Sequence, residues 1–229
     1  MKRLIAIASL MLASCISSTN TIGTIEGKKI GVAYSINKVL QLCHAHYGIT
    51  IFNNFEKRYV VSQDIVKLAV AGYVAGIEET GNRAVVVPDP PDFSDLMSIA
   101  AWDGKPSLTP QGKEAVIRIG AKYDVDFVMV ARGFERDIDP SVCLGINLIT
   151  RGPNVKNFIP TYIAFVLDAK NGKYVGNTQI SNAEFWSEVA PPANARELSP
   201  REIAAYTNYT EVAAKKAIKK FISGGWSHL

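Results

Sequence analysis

The stretch TPQGKEAVIRIGAKYDVDFVMVARGF, residues 109–134, decides the fold. Thr109 followed by Pro110 marks a helix start, because threonine caps well and proline at the first helical position gives up an N–H that would have no partner anyway. Ala115, Val116, Ile117 and Ile119 recur at helical spacing and predict an inward face running to about Tyr123. Phe127 to Phe134 then reads as the strand that follows it. A helix feeding directly into a buried strand is the building unit of an α/β sheet.

Working upstream, Arg83 to Val87 reads as another fully buried strand and Lys28 to Ile36 as a third, through Ile30, Val32, Ala33 and Tyr34. Between them, Ser62 is placed to cap a helix with Asp64 in its first turn. Its Ile65, Val66, Leu68, Ala69, Val70, Tyr73, Val74 and Ile77 leave it apolar nearly all round, so burial on more than one side is expected. Gly72 and Gly76 permit a strand or helix to come close, whereas the segment's length and Lys67 argue against a membrane pair. Tyr47 to Phe52 and Arg58 to Val61, joined by Asn53-Asn54, read as a hairpin. Residues 88–110 are rich in proline and read as a long ordered loop with a single helical turn. Such a loop is either a binding element or a crossover packed by its own side chains. In the first case Phe93, Leu96, Met97 and Trp102 are the partner-contact candidates.

Downstream, turns are expected at Asp137 to Pro140 and at Arg151 to Asn154, with a strand over Val142 to Thr150 between them. Thr161 to Leu167 pairs with Lys173 to Ile180 across the Asn171-Gly172 turn. Ser199-Pro200-Arg201-Glu202 is a capping box, and its helix is expected to break near Thr207 to Tyr209 and resume at Thr210. Ala214, Ile218, Phe221 and Ile222 should face inward, with Lys215, Lys216, Lys219 and Lys220 outward in solvent. The order of elements predicts an α/β fold: a mixed, mostly parallel central sheet of about five or six strands, flanking helices, and antiparallel hairpins at the edges.

Met1 to Cys15 stands apart from this pattern. Lys2 and Arg3 are followed by an apolar run, Leu4 to Ala13, and by Leu12-Ala13-Ser14-Cys15; a run of about ten residues is too short for a membrane span, which takes roughly 20. It reads as a cleaved signal, residues 1–14. A lipidated N-terminus and flexible tether follow at 15–27, then a single domain at 28–222 and a tail at 223–229. The 215 residues left after removal of 1–14 from 229 suit one domain, and 48% hydrophobic content supplies a core. Outside Lys2 and Arg3, 23 basic residues face 21 acidic ones, a balance that gives no nucleic-acid footprint.

Candidate chemistry is sparse. Cys43 and Cys143 form an even pair, readable either as buried thiols, the commoner state of such residues, or as a disulfide closing a loop of roughly 100 residues. In Cys43-His44-Ala45-His46, the two histidines share a strand face and the cysteine lies opposite, too few ligands for a structural zinc. Asp124 with Asp126, and Asp137 with Asp139, are spaced for acid–base work but equally for turn hydrogen bonds. No catalytic residue, metal or cofactor is expected.

Two resemblances add to this. Leu12 to Cys15 resembles the lipobox of bacterial lipoproteins, which implies acylation (palmitate among the chains) at Cys15; with Ile16 next, it implies forwarding to the outer membrane, at its periplasmic face. Ile119 to Val130, Val166 to Lys173 and Ala213 to Phe221 resemble a periplasmic group of proteins: the curli-secretion lipoprotein, the lipoprotein activators of penicillin-binding proteins, and the amino-terminal domain of TolB. That resemblance spans roughly Ile65 to Ile222; Ile36 to Val61 and the proline-rich loop depart from it. Three function classes follow. The first is a lipid-anchored binding or assembly module with an envelope protein partner and a membrane held through its anchor. The second is a subunit of a secretion or pore complex, with Ile36 to Val61 as the inserting stretch. The third is an envelope hydrolase using Cys43 or the aspartates. Oligomeric state is open.

Overall fold

The computed structural model describes residues 25–36, 39–48, 54–99, 106–133, 143–151, 155–160, 162–178, 188–190, 192 and 195–224. In chain order the elements are β1 (Lys29–Ala33), β2 (Gln41–Tyr47), β3 (Phe55–Tyr59), α1 (Ile65–Glu79), β4 (Arg83–Val86), β5 (Met97–Ile99) and β6 (Pro106–Leu108). They are followed by α2 (Pro110–Tyr123), β7 (Phe127–Gly133), β8 (Gly145–Arg151), β9 (Val155–Pro160), β10 (Tyr162–Asp168), β11 (Tyr174–Thr178) and α3 (Pro200–Ile222).

The fold is mixed α/β. A five-stranded central sheet has the order β11-β10-β7-β1-β4. β1 is parallel to both β4 and β7, while β10 is antiparallel to β7 and to β11, so parallel pairing makes up half of the sheet. Alternate residues of its strands serve two cores. Ile30, Val32, Met129, Ala131, Ala164 and Val166 face α1 and α3; Ala33, Val128, Val130, Phe165 and Leu167 face α2. Cover on both faces is what makes these strands apolar throughout.

A second sheet, β3-β2-β8-β9, repeats the strand order of the first. β1 leads into β2, β7 leads towards β8, and β9 enters β10 after one intervening residue. β2 lies parallel to β8 as β1 does to β7, and β8 lies antiparallel to β9 as β7 does to β10. The chain thus extends three neighbouring strands beyond a break. Leu42, Ile146 and Leu148 join the same core as Ile30, Val32 and Met129.

Several expectations are corrected. Asp64, not Ser62, caps α1, its Oδ1 accepting from the N–H groups of Val66 and Lys67. α1 is buried along one side only, at Ile65, Ala69, Gly72, Tyr73, Gly76 and Ile77. The stretch expected as a fully buried strand is β4, an edge strand on which Val86 is 53% exposed. Residues 88–110 contain a two-stranded antiparallel ribbon, β5 with β6. α3 is unbroken: the Thr207 hydroxyl donates to the Ile203 carbonyl (2.7 Å), and Tyr206, Thr207, Tyr209 and Thr210 are buried, so packing outweighs their modest helix propensity. Of the predicted turns, 137–140 lies outside the described residues, as do Asn53 and residues 152–154.

α1 and α3 run parallel, and glycine sets their contact. A Cβ on Gly72 would run into the Glu211 carbonyl and lie 2.9 Å from the Ala214 Cβ; one on Gly76 would lie 2.7 Å from the Lys215 carbonyl. Gly72→Ala should therefore lower stability by about 2 kcal/mol, the overpacking cost exceeding the roughly 1 kcal/mol that alanine returns in helix propensity. Chemical denaturation measures this; an unchanged or raised midpoint would contradict the contact.

Candidate functional site

β2 carries the densest cluster of reactive side chains, and the parallel pairing with β8 sets where each one points. Cys43 and Asn147 are cross-strand neighbours. Asn147, fully buried, accepts from the Cys143 N–H (2.7 Å) and donates to the Cys143 carbonyl (2.8 Å). This two-sided grip holds Cys143 over β2, where it is bonded to Cys43 with the Cα atoms 6.2 Å apart. Gly145 starts β8 at φ +135, and a Cβ there would lie 2.6 Å from the Gln41 N, so a glycine backbone is required for the strands to meet. The two cysteines are therefore disulfide-bonded and not thiols. A bonded sulfur offers no thiolate, which removes Cys43 as a nucleophile.

On the opposite face of β2, His44 is 1% exposed, its ring 5.3 Å from that of Phe55. Neither ring nitrogen meets a partner in hydrogen-bond geometry, although the Arg196 backbone faces the ring. Burial pushes its pKa down to about 4; the Arg196 backbone pulls it up, the charges of His46 and Arg196 depress it and Glu202 raises it. His46 shares the face, as expected, with Nδ1 2.7 Å from the Thr150 hydroxyl. No group of three potential metal ligands occurs among the described residues.

The segment before α3 closes over this face. Tyr59 Oη accepts from the Leu198 N–H (2.8 Å), Lys57 pairs with Glu197 (2.9 Å), and Arg196 holds Glu202. Glu202 completes the capping box with Ser199. The Arg196 hydrogen bond is the largest cause holding the Glu202 carboxyl down at about 2. Asn147, Arg196 and Tyr59 escape sequence reasoning: Tyr59 acts on Leu198, distant in the chain, while Asn147 and Arg196 act on Cys143 and Glu202 nearby through contacts that no motif announces.

The remaining candidates are dispersed. Phe93 and Met97 are buried at 0% and 2% in the α2-side core and offer no exposed surface to a partner, Leu96 is partly buried against the same core, and Trp102 lies outside the described residues. Asp124 pairs with Lys29, which lowers its carboxyl pKa, the opposite of what an acid catalyst needs. Asp126 accepts from the Lys29 N–H (2.9 Å). Asp137, Asp139 and Cys15 lie outside the described residues. The lysines of α3 are engaged: Lys215 and Lys219 with Glu79, Lys216 with Glu188.

No protein family matches the chain in sequence, and no curated protein does either. Among solved structures, two crystal forms of the PelC dodecamer from Paraburkholderia phytofirmans align with it. One has 9% identity and a TM-score of 0.35, covering 90% of this chain and 93% of that one. The other has 10% identity and a TM-score of 0.34, covering 88% and 89%. Likeness at this level carries nothing about activity.

Two outcomes are expected. Labelling of the unfolded, unreduced protein should leave Cys43 and Cys143 unmodified, and prior reduction should cost on the order of 4 to 5 kcal/mol of stability. Because the folded pKa of His44 lies below its unfolded value, the unfolded state binds the extra proton as pH falls. Stability contributed by neutral His44 is present above about pH 6.5 and declines towards pH 4, by roughly 2 kcal/mol after allowance for solvent screening. Denaturation midpoints of wild type and His44→Leu across that interval test it, the variant showing the shallower slope.

Proposed function

We propose that the protein is a lipid-anchored, envelope-facing binding or assembly module, held to the outer membrane at its periplasmic face through Cys15 and docking on an envelope protein partner. The observation that carries this reading is the N-terminal sequence: a basic start, a short apolar run and Leu12-Ala13-Ser14-Cys15. One acyl chain binds a bilayer weakly and reversibly, whereas two or more hold firmly. The attachment of Ile25 supports it. The Ile25 N–H donates to the Ile222 carbonyl (3.3 Å) and its carbonyl accepts from Asn82 (2.9 Å), so Ile25 is fixed at one defined end of the domain. A binding role requires no catalytic group, and the engagement of Cys43 and Asp124 favours it over the hydrolase reading.

The second reading, a secretion or pore subunit, needs strands with one face free for lipid. β2 buries Leu42 and His44 on one face and Cys43 and Ala45 on the other, which supports the assembly reading instead. Intact mass of protein isolated from membranes tests the proposal. A chain beginning at Cys15 with added acyl mass is expected, and an unmodified chain retaining Met1 would overturn it. Crosslinking in intact envelopes should then recover a second protein.

A further inference from the structure

His44 is sealed in a position that suits only its neutral form. It is 1% exposed, with the Phe55 ring of β3 5.3 Å away and the Arg196 backbone facing it from the segment before α3. Both ring nitrogens are buried without a partner in hydrogen-bond geometry. A buried polar group left unpaired costs stability, and a buried charge costs far more. The segment over the ring is held lightly. Of residues 195–198 only Leu198 is buried. Two polar contacts fasten the segment to β3: the Leu198 N–H to Tyr59 Oη, and Lys57 to Glu197. The second joins two exposed side chains and so adds little. Arg196 bonds to Glu202, inside the helix that the segment leads into, and the capping box of Ser199 with Glu202 holds the start of α3 by itself. The segment can therefore leave the sheet without unwinding the helix.

The groups around the ring do not welcome a proton. His46 on β2 and Arg196 on the segment repel it, while Glu202 on α3 attracts it but is already paired with Arg196. On β3, Lys57 is a further cation, held by Glu197, and burial raises the Tyr59 phenol, which stays neutral. From β8, Thr150 meets His46 and brings no charge. Burial is the largest influence and, against the pull of the Arg196 backbone, takes the His44 pKa down to about 4. Freed of its cover, an imidazole takes up a proton at about pH 6.5. Proton uptake and uncovering therefore favour each other. We propose that residues 195–198 are a proton-released strap: a proton on His44 frees them from β3 and bares the His44 and Tyr59 side of the second sheet. The strap works in this way whether or not the chain carries an acyl anchor.

The test is amide hydrogen exchange of the full-length chain, followed by NMR from neutral to acid pH. The Leu198 N–H reports the strap, since its bond to Tyr59 breaks when the strap leaves. The amides of β7, a strand paired on both sides, report the central sheet. After correction for the intrinsic exchange rate, protection of Leu198 should fall on the order of 100-fold as pH drops through the interval between the uncovered and covered pKa values of His44, while β7 keeps its protection. His44→Leu should flatten the fall. Glu197→Gln, which removes the titrating partner of Lys57 at an exposed position, should keep it. Three outcomes overturn the inference: Leu198 protection in wild type that is constant with pH, a fall that only tracks loss of protection in β7, or a fall that survives in His44→Leu. Loss of the pH dependence in Glu197→Gln would overturn it as well, assigning the effect to the ion pair, and that variant decides the matter even if His44→Leu does not fold.

Discussion

The close parallel contact of α1 with α3 is the constraint on which the architecture depends. With only hydrogen atoms on Gly72 and Gly76, the α3 backbone comes within reach of α1, and Ala214 and Ile218 pack against the two glycines. Glu79 then binds Lys215 and Lys219 at its C-terminal end. Exposed pairs like these add little by themselves, so burial and shape are what fix α3. Held there, α3 covers the central sheet with its second half, while the segment before its first turn reaches across to Tyr59 on the second sheet.

The elements that local chemistry specifies were legible in the sequence. Thr109-Pro110 caps α2, Ser199-Pro200 with Glu202 starts α3, and Asn171-Gly172 closes the β10–β11 hairpin. Each depends on neighbours within a few residues. What long-range pairing decides was not legible. β9 contains Asn157 and ends in Pro160, residues poor in strand propensity, and is made a strand by β8. β2 finds β8 about a hundred residues away, and nothing local announces that they adjoin. The same distance separates Cys43 from Cys143, which were visible as a pair but not as a bond.

Apolar side chains in the proline-rich region show the limit of reading exposure from composition. A run with five prolines and acidic neighbours resembles a surface loop, yet Phe93 and Met97 complete the core beneath α2. Gly112 sits where a Cβ would lie 3.1 Å from the Leu96 Cβ, so the loop is pressed onto the helix that follows it. The β5–β6 ribbon is thus a lid on the core. The lysines of α3 do face outward, as their amphipathic spacing implies, but that spacing does not reveal the Glu79 carboxylate that α1 brings to Lys215 and Lys219.

The fastening of Ile25 also has a mechanical side. Asn82 accepts from the Lys28 N–H (2.8 Å) while donating to the Ile25 carbonyl, so the start of β1 is gripped on both sides of Gly27. Beyond that grip β1 lies between two parallel neighbours, β4 and β7. A pull on the N-terminal segment runs along the axis of β1 and loads both ladders in shear, so their hydrogen bonds must yield together and not one at a time. A domain tugged by its own leash would resist at its centre, with the load shared between the strands that carry both cores.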